Sequence, residues 1–235
     1  MSYEFDGRVR YSEIDEKGRL SISSLVNYFQ DASTFQSEEL GVGIEFMKER
    51  NMAWILSYWQ IVIDRFPKLG EKVIAQTWPY DFNGFYGMRN FVLLDGDRKM
   101  VARANSVWVQ FDVEKQRPVR CSNEVMEKYP LEEPVEMDYA PRKVEIPKEG
   151  VKEPSFVIEK HLLDTNHHVN NGQYIALAEG YLPEDFEIRQ LRAEYRIQAR
   201  LHDVMVPIVS RQEDKVTVTL CNEAEKPYAI VEFQR

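Results

Sequence analysis

The chain repeats one order of elements on either side of a proline-bearing segment. In each half, a predicted helix is followed by four runs rich in β-branched and aromatic residues. The first helix has apolar residues at helical spacing from Leu25 to Leu40, and the second is expected from about Asn170 to Tyr181. These runs span residues 53–64, 72–82, 86–94 and 100–111 in the first half, and 188–199, 204–211, 215–221 and 228–233 in the second. One helix followed by antiparallel strands is typical of a sheet wrapped around a central helix. The sequence therefore predicts an α+β fold built from two such units.

The segment between the halves divides the chain. It contains five prolines and few large apolar residues: Pro130, Pro134, Pro141, Pro147 and Pro154. Proline removes an amide donor and fixes one backbone angle, so this segment is not expected in a sheet interior or a long helix. We predict a first domain over residues 1–129, a surface linker over 130–153 and a second domain over 154–235.

Composition excludes several classes of protein. An apolar content of 43% is enough for a packed core, and the formal net charge of -9 argues against broad nucleic-acid binding. The first residues carry charges where a signal peptide has its apolar stretch, and no apolar run is long enough for a membrane span. The cysteines, Cys121 and Cys221, form no metal-type pair. We therefore expect a cytoplasmic protein that contacts neither membrane nor nucleic acid.

The stretch from Asp164 to Asn171 is the most informative for chemistry. It places an acid, amides and two imidazoles in a loop that leads into the second predicted helix. Histidine can move a proton near neutral pH, and helix starts expose backbone amides that can stabilise an oxyanion. Asp and Asn also favour turns and caps, so they could serve only to shape the loop. Adjacent His167 and His168 have no spaced third ligand, so no metal is expected.

Several motifs of the chain resemble those of one known family. Residues 164–174, DTNHHVNNGQY, are similar to D-x-N-x-H-V-N-N-x-x-Y, the signature of the plant and bacterial acyl-acyl carrier protein thioesterases. Residues 194–196 resemble the E-Y-R of the strand that follows the family's second helix. Residues 9–15 match V-R-x-x-E-x-D, and residues 108–112 match W-V-x-x-D. The resemblance thus extends over nearly the whole chain.

This resemblance implies a double (tandem) hot-dog fold with one active site, in the second half, that hydrolyses an acyl thioester. Carried over by position, Asp164, Asn166 and His168 would be catalytic, with water activated by His168. Gln198 stands where the family has a glutamate that helps to activate water, and Ala199 stands where plant members have cysteine. An amide is not a general base, so Gln198 would only orient water or a carbonyl. Without a thiol at this position, a cysteine acyl-enzyme is not expected.

The resemblance also implies a substrate and no cofactor. The family places the acyl chain in an apolar slot of the first half, for which the candidates are Trp54, Leu56, Tyr58, Trp59 and Phe85. The partner would be acyl carrier protein, which is acidic, with its phosphopantetheine-linked acyl chain. Basic residues near the E-Y-R strand are candidates for receiving it: Arg192, Arg196 and Arg200.

Two alternative functions remain open at the level of sequence. An acyl-coenzyme A thioesterase would use the same fold and loop with a different carrier. A non-catalytic acyl-binding protein of the same fold is favoured by one feature, the replacement of the family glutamate by Gln198. Either a monomer or a homodimer is compatible with a tandem fold.

Overall fold

A computed structural model describes residues 2–235 of the chain. The chain forms two compact units, each of which is held together by contacts among its own residues. Unit 1 comprises the residues up to Ser57 together with Ile61–Tyr139, and unit 2 comprises Tyr58–Gln60 and Ala140–Arg235. The division falls inside the predicted linker, of which residues 130–150 form neither helix nor strand and Val151–Lys152 form a short strand.

Unit 1 is an antiparallel sheet that packs on one long helix. Its helices are α1 (Ile22–Glu39), α2 (Ile44–Glu49) and α3 (Asn123–Met126), and a 3-10 turn covers Tyr11–Glu13. Its strands are β1 (Tyr3–Arg8), β2 (Met52–Ile63), β3 (Lys72–Asn83), β4 (Tyr86–Asp95), β5 (Met100–Asp112) and β6 (Arg117–Pro118). The sheet order is β1-β3-β4-β5-β2, with β6 paired to β5.

Unit 2 repeats this arrangement with a shorter helix. It contains a 3-10 turn over Lys160–Leu162 and α4 (Asn171–Glu179). Its strands are β7 (Val151–Lys152), β8 (Phe156–Val157), β9 (Gln190–Tyr195), β10 (Val204–Arg211), β11 (Lys215–Cys221) and β12 (Pro227–Gln234). The sheet order is β9-β12-β11-β10-β7, and β8 also pairs with β10. The α+β class and the helix-on-sheet units are confirmed.

The helices are held by their apolar faces. Leu25, Phe29 and Ala32 recur at helical spacing on α1 and are almost completely buried. The Phe29 ring lies 5.3 Å from Phe91 of β4. Burial of each large apolar side chain contributes about 1.5–3 kcal/mol, so this face anchors α1 on the sheet. In unit 2, Ile175 of α4 is buried in the same way.

The structure differs from the sequence expectation in three local details. Ser23 and Ser24 precede the first apolar residue of the predicted helix and are its expected N-caps, but Ser21 caps α1, because its hydroxyl accepts the Ser24 backbone N–H. The short helices α2 and α3 were not predicted, since four to six residues are too few for a clear periodicity. The strand predicted over 188–199 ends at Tyr195. Beyond it, Ala199 bonds to the loop and helix of unit 2 instead of to a neighbouring strand.

No helix within residues 2–235 combines the length and the apolar character that a membrane crossing requires.

Candidate active site

The loop over residues 164–170 is closed by the side chain of Asp164. Its carboxylate oxygen Oδ1 accepts the backbone N–H of Asn166 at 2.8 Å and of His168 at 3.2 Å. The backbone N–H of Asp164 donates to the carbonyl of His168 at 2.8 Å. A side-chain oxygen that bonds the backbone two residues ahead is the Asx turn favoured by aspartate. Asp164 therefore sets the shape of the loop that carries Asn166 and His168.

Unit 1 contains a copy of this loop, over residues 15–21. Asp15 Oδ1 accepts the backbone N–H of Lys17 at 2.9 Å and of Arg19 at 3.1 Å. The backbone N–H of Asp15 donates to the carbonyl of Arg19 at 2.7 Å. The two halves therefore form the same turn before their helices, with Arg19 in the place of His168.

The two loops differ in the hydrogen-bond partner of the residue at this position, which is Arg19 in unit 1 and His168 in unit 2. In unit 1, Nε of Arg19 donates to Oδ2 of Asp15 at 2.9 Å. In unit 2, Nδ1 of His168 is buried without a hydrogen-bond partner among the described residues. A buried ring nitrogen without a partner costs free energy, and such atoms in native structures call for a functional explanation.

The surroundings of His168 keep its imidazole neutral. Burial lowers the pKa of His168 below the usual 6.5, and the positive charge of Arg200 lowers it further. The carboxylate of Asp164 acts in the opposite direction, and His167 again lowers the value. A neutral imidazole is the form that can accept a proton, so the site favours a general base.

The start of α4 offers fewer free amides than the sequence suggests. The Asn170 side chain caps the helix by accepting the Gly172 N–H at 2.8 Å. The N–H groups of Asn170 and Gln173 donate to the carbonyls of Leu162 and Asn170, respectively. These donors are engaged within the fold, which makes the exposed side-chain amide of Asn166 the better donor for an oxyanion.

Tyr174 attaches the segment with Gln198 to this loop. Its hydroxyl accepts the backbone N–H of Ala199 at 3.0 Å, and the carbonyl of Ala199 accepts the Val169 N–H at 2.9 Å. Ala199 is thereby held from both sides, and the adjacent Gln198 has an exposed side chain. The structure thus brings Asp164, Asn166 and His168 together in one loop and Gln198 onto the segment bonded to it.

The three slot candidates in unit 1 differ in exposure. Trp54 packs against Phe82, with ring centroids 6.2 Å apart, beside a small buried cluster that includes Tyr129. Leu56 is 2% exposed and belongs to the core, whereas Phe85, at the tip of the β3–β4 hairpin, is 36% exposed. Their predicted contact with substrate stays a prediction.

The other two slot candidates are buried in unit 2, and one of the arginines is partly buried there. Tyr58 and Trp59 have no exposed surface. The Tyr58 hydroxyl accepts a hydrogen bond from Nε of Arg192 at 3.2 Å. Arg192 also pairs with Glu232 at 3.0 Å and donates to the carbonyls of Pro141 and Lys143. The guanidinium of Arg192 is therefore committed to partners inside unit 2.

The remaining arginines lie at the surface. Arg196 pairs with Glu194 at 2.9 Å. Arg200 is exposed, its backbone forms a β-bridge with that of His168, and no described carboxylate lies within ion-pair distance of its guanidinium. Of the three predicted arginines, only Arg200 combines a position beside the loop with a free positive charge.

No metal centre was found in the part of the chain that the structure describes, because no three His, Cys, Asp or Glu side chains come together there. Both cysteines are free and buried. Burial raises the pKa of Cys121 to about 11 and also raises the pKa of Cys221. Neither thiol is activated as a nucleophile.

Two glycine-to-histidine exchanges distinguish the units, and we did not predict them. Gly18 and Gly70 have φ values of 71° and 82° in unit 1. The corresponding positions of unit 2 hold His167 and His202, with φ values of 61° and 70°. Aligning residues 15–20 with 164–169, and 68–71 with 200–203, reveals both exchanges in the sequence. Strained residues of this kind cluster at functional sites.

Comparisons with known proteins agree with this description. Residues 2–129 match the family model "Acyl-ACP thioesterase N-terminal domain". A palmitoyl-acyl carrier protein thioesterase, chloroplastic, of Gossypium hirsutum is 31% identical over 209 residues, which cover 80% of this chain and 50% of that protein. The chain therefore spans about half the length of the curated relatives it matches.

Two solved structures share the fold. An acyl-ACP thioesterase from Bacteroides thetaiotaomicron has a TM-score of 0.90 at 22% identity, over 98% of this chain and 96% of that one. The 12:0-ACP thioesterase from Umbellularia californica has a TM-score of 0.86 at 18% identity, over 99% and 96% of the two chains.

The repeated helix-on-sheet units and the two solved structures that share them define a double hot-dog fold. The matched family model and the Gossypium relative assign it further: the chain belongs to the acyl-ACP thioesterase family.

Proposed function

We propose that this protein hydrolyses fatty acyl-acyl carrier protein thioesters and releases free fatty acid at the His168 site of unit 2. One observation carries the proposal. The 164–170 loop holds a neutral, half-buried imidazole with an unpartnered ring nitrogen beside an exposed amide, whereas its copy in unit 1 holds an arginine paired with Asp15. Family membership supports the same reaction.

The proposed reaction begins with His168 as general base. The neutral imidazole takes a proton from water while the water oxygen bonds to the thioester carbonyl carbon. The carbonyl oxygen becomes an oxyanion that accepts a hydrogen bond from the side-chain amide of Asn166. Collapse of this intermediate breaks the carbon–sulfur bond, and the imidazolium returns the proton to the leaving sulfur.

Asp164 would support the imidazolium. Its oxygen Oδ1 is occupied by two backbone N–H groups, so Oδ2 is the oxygen available to the Nδ1–H of His168. In the copied loop of unit 1, Nε of Arg19, at the position that corresponds to His168, donates to the corresponding Oδ2 of Asp15. Forming this hydrogen bond as the ring becomes charged would stabilise the transition state more than the ground state.

Gln198 would orient the attacking water or the carbonyl, because an amide does not accept a proton as a general base. We expect His168→Ala to abolish turnover and Gln198→Ala to reduce it less. If Gln198→Ala were the more damaging change, the assignment of His168 as the base would be wrong.

The carrier and the slot complete the proposal. Acyl carrier protein presents the acyl chain on its phosphopantetheine arm, and the chain occupies an apolar slot of the first half with Trp54, Leu56 or Phe85 among its walls. The predicted cytoplasmic location and the choice between monomer and homodimer stay predictions.

Free fatty acid release tests this function. Acyl carrier protein thioesters and coenzyme A thioesters of matched chain length are compared for the wild type and His168→Ala. Release that prefers the carrier protein and is lost in the variant is the expected result. Faster release from the coenzyme A thioesters would identify coenzyme A, and not acyl carrier protein, as the carrier of the acyl group.

A second candidate function is non-catalytic acyl binding, which the replacement of the family glutamate by Gln198 favours. Binding of acyl carrier protein thioesters without release of fatty acid, by the wild type, would establish it and refute hydrolysis.

A further inference from the structure

The segment over residues 196–202, here called the basic segment, forms an exposed surface next to the His168 loop. Arg196, Ile197, Gln198, Arg200, Leu201 and His202 are exposed, and Ala199 is buried. Ile197 and Leu201 are large aliphatic residues with 44% and 40% of their surface exposed. Arginine is enriched at protein–protein interfaces, and apolar surface that is rimmed by polar residues marks binding sites.

The charge of this segment is unusual for the chain. The whole protein carries a formal net charge of -9, yet the basic segment has two arginines and no Asp or Glu. Arg196 is partly neutralised by Glu194, at 2.9 Å. The guanidinium of Arg200 has no acidic partner among the described residues, and its effect on His168 indicates that its charge lies near the imidazole. A local positive field therefore adjoins the candidate site.

The matching turn of unit 1 adjoins the Arg19 loop instead of the His168 loop. Arg200 N–H bonds Asp203 at 2.8 Å just as Lys68 N–H bonds Glu71 at 2.9 Å, so Lys68 and Leu69 correspond to Arg200 and Leu201. Lys68 and Leu69 are exposed, and the backbone of Lys68 forms a β-bridge with that of Arg19. The two turns share a backbone and an exposed cation beside a leucine but adjoin different loops, which makes unit 1 an internal control.

We propose that the basic segment is the surface on which the acyl carrier protein docks, through an acidic helical face with apolar side chains. Arg196 and Arg200 would meet the carboxylates, and Ile197 and Leu201 the apolar side chains. This inference rests on the proposed function and adds where the carrier binds. Such complementary charge raises the rate of encounter and sets specificity.

The test compares two substrates with the same acyl group, one on acyl carrier protein and one on pantetheine, which has no protein to dock. Leu201→Glu and Arg200→Gln are measured beside the matched variants Leu69→Glu and Lys68→Gln. Arg120→Gln, another exposed arginine with no described acidic partner, controls for general loss of positive charge.

We expect Leu201→Glu and Arg200→Gln each to raise the KM for the carrier substrate by about tenfold, since both alter the proposed contact. Turnover of acyl-pantetheine by Leu201→Glu should stay within about twofold of the wild type, because a docking residue does not touch the acyl group. The three control variants should behave as the wild type with both substrates. The wild-type kcat/KM should fall with added salt for the carrier substrate only.

Equal losses on both substrates would assign Leu201 to the chemistry and overturn the docking surface. Equal effects from Leu69→Glu or Arg120→Gln would place docking elsewhere and overturn it too. Wild-type KM values in all variants would overturn the docking surface without contradicting the proposed hydrolysis. A wild type that releases no fatty acid from either substrate would instead refute the proposed function.

Discussion

The carboxylate of Asp164 can be tested with two substitutions that separate its charge from its turn-forming oxygen. Asp164→Asn keeps an Oδ1 that can accept the N–H groups of Asn166 and His168, but it replaces Oδ2 by an amide nitrogen. Asp164→Ala removes both functions. Asp15→Asn makes the first change in the copied loop of unit 1, where Asp15 bonds Lys17 and Arg19 in the same way.

The expected magnitudes follow from these contacts. A hydrogen bond from the imidazolium to a carboxylate contributes about 1.5–3 kcal/mol, which is about 10- to 150-fold in kcat. Asp164→Asn should lose this factor with its melting temperature within about 2 °C of the wild type. Asp164→Ala also leaves two backbone N–H groups without their acceptor, at a cost of about 1–2 kcal/mol, or about 2–8 °C for a chain of this size.

The assay pairs single-turnover hydrolysis of an acyl-pantetheine with thermal unfolding followed by circular dichroism. Asp15→Asn should leave kcat unchanged, because its loop has no histidine. If Asp164→Asn kept the wild-type kcat, the charge would play no part in the reaction, and Asp164 would be a turn residue only.

Three further predictions concern His168 and its supports. Burial and Arg200 lower the pKa of His168, and the neutral ring is the active form, so the acid limb of the kcat/KM profile should lie below pH 6.5. Arg200→Gln should move this limb to higher pH in a pH series with acyl-pantetheine. An unmoved limb would refute the electrostatic role of Arg200. Tyr174→Phe removes the acceptor of the buried Ala199 N–H, so it should cost about 1–3 kcal/mol of stability in urea unfolding and also lower kcat. A variant as stable as the wild type would show that this hydrogen bond does not hold the segment in place. His167→Gly relieves the strain of a left-handed backbone and should raise the melting temperature. Gly18→Ala imposes the same strain in unit 1 and should cost about 1 kcal/mol of stability. Equal melting temperatures for the wild type and both variants would show that neither turn is strained.

The order of elements was predictable because it depends on short-range patterns. Strands β10 and β11 were predicted with the bounds that the structure has, since alternating β-branched residues between turn signals define them locally. Between the predicted runs 72–82 and 86–94, the pair Asn83-Gly84 is a hairpin signal in the sequence, and Gly84 has a φ of 65° there. The loop before α4 was predicted from its polar residues, and Asn170 caps that helix as this residue type favours.

The roles of individual side chains were decided by contacts between distant parts of the chain. Arg192 and Arg200 are the same residue type on neighbouring stretches of chain. Arg192 pairs with Glu232, 40 residues away, and is partly buried, while Arg200 remains exposed. Asp164 turned out to bond the backbone, and His168 to have an unpartnered Nδ1. A long side chain takes the partner that folding brings within about 3 Å. Local patterns predict the helices and strands, and long-range packing selects which charges are neutralised and which are left for chemistry.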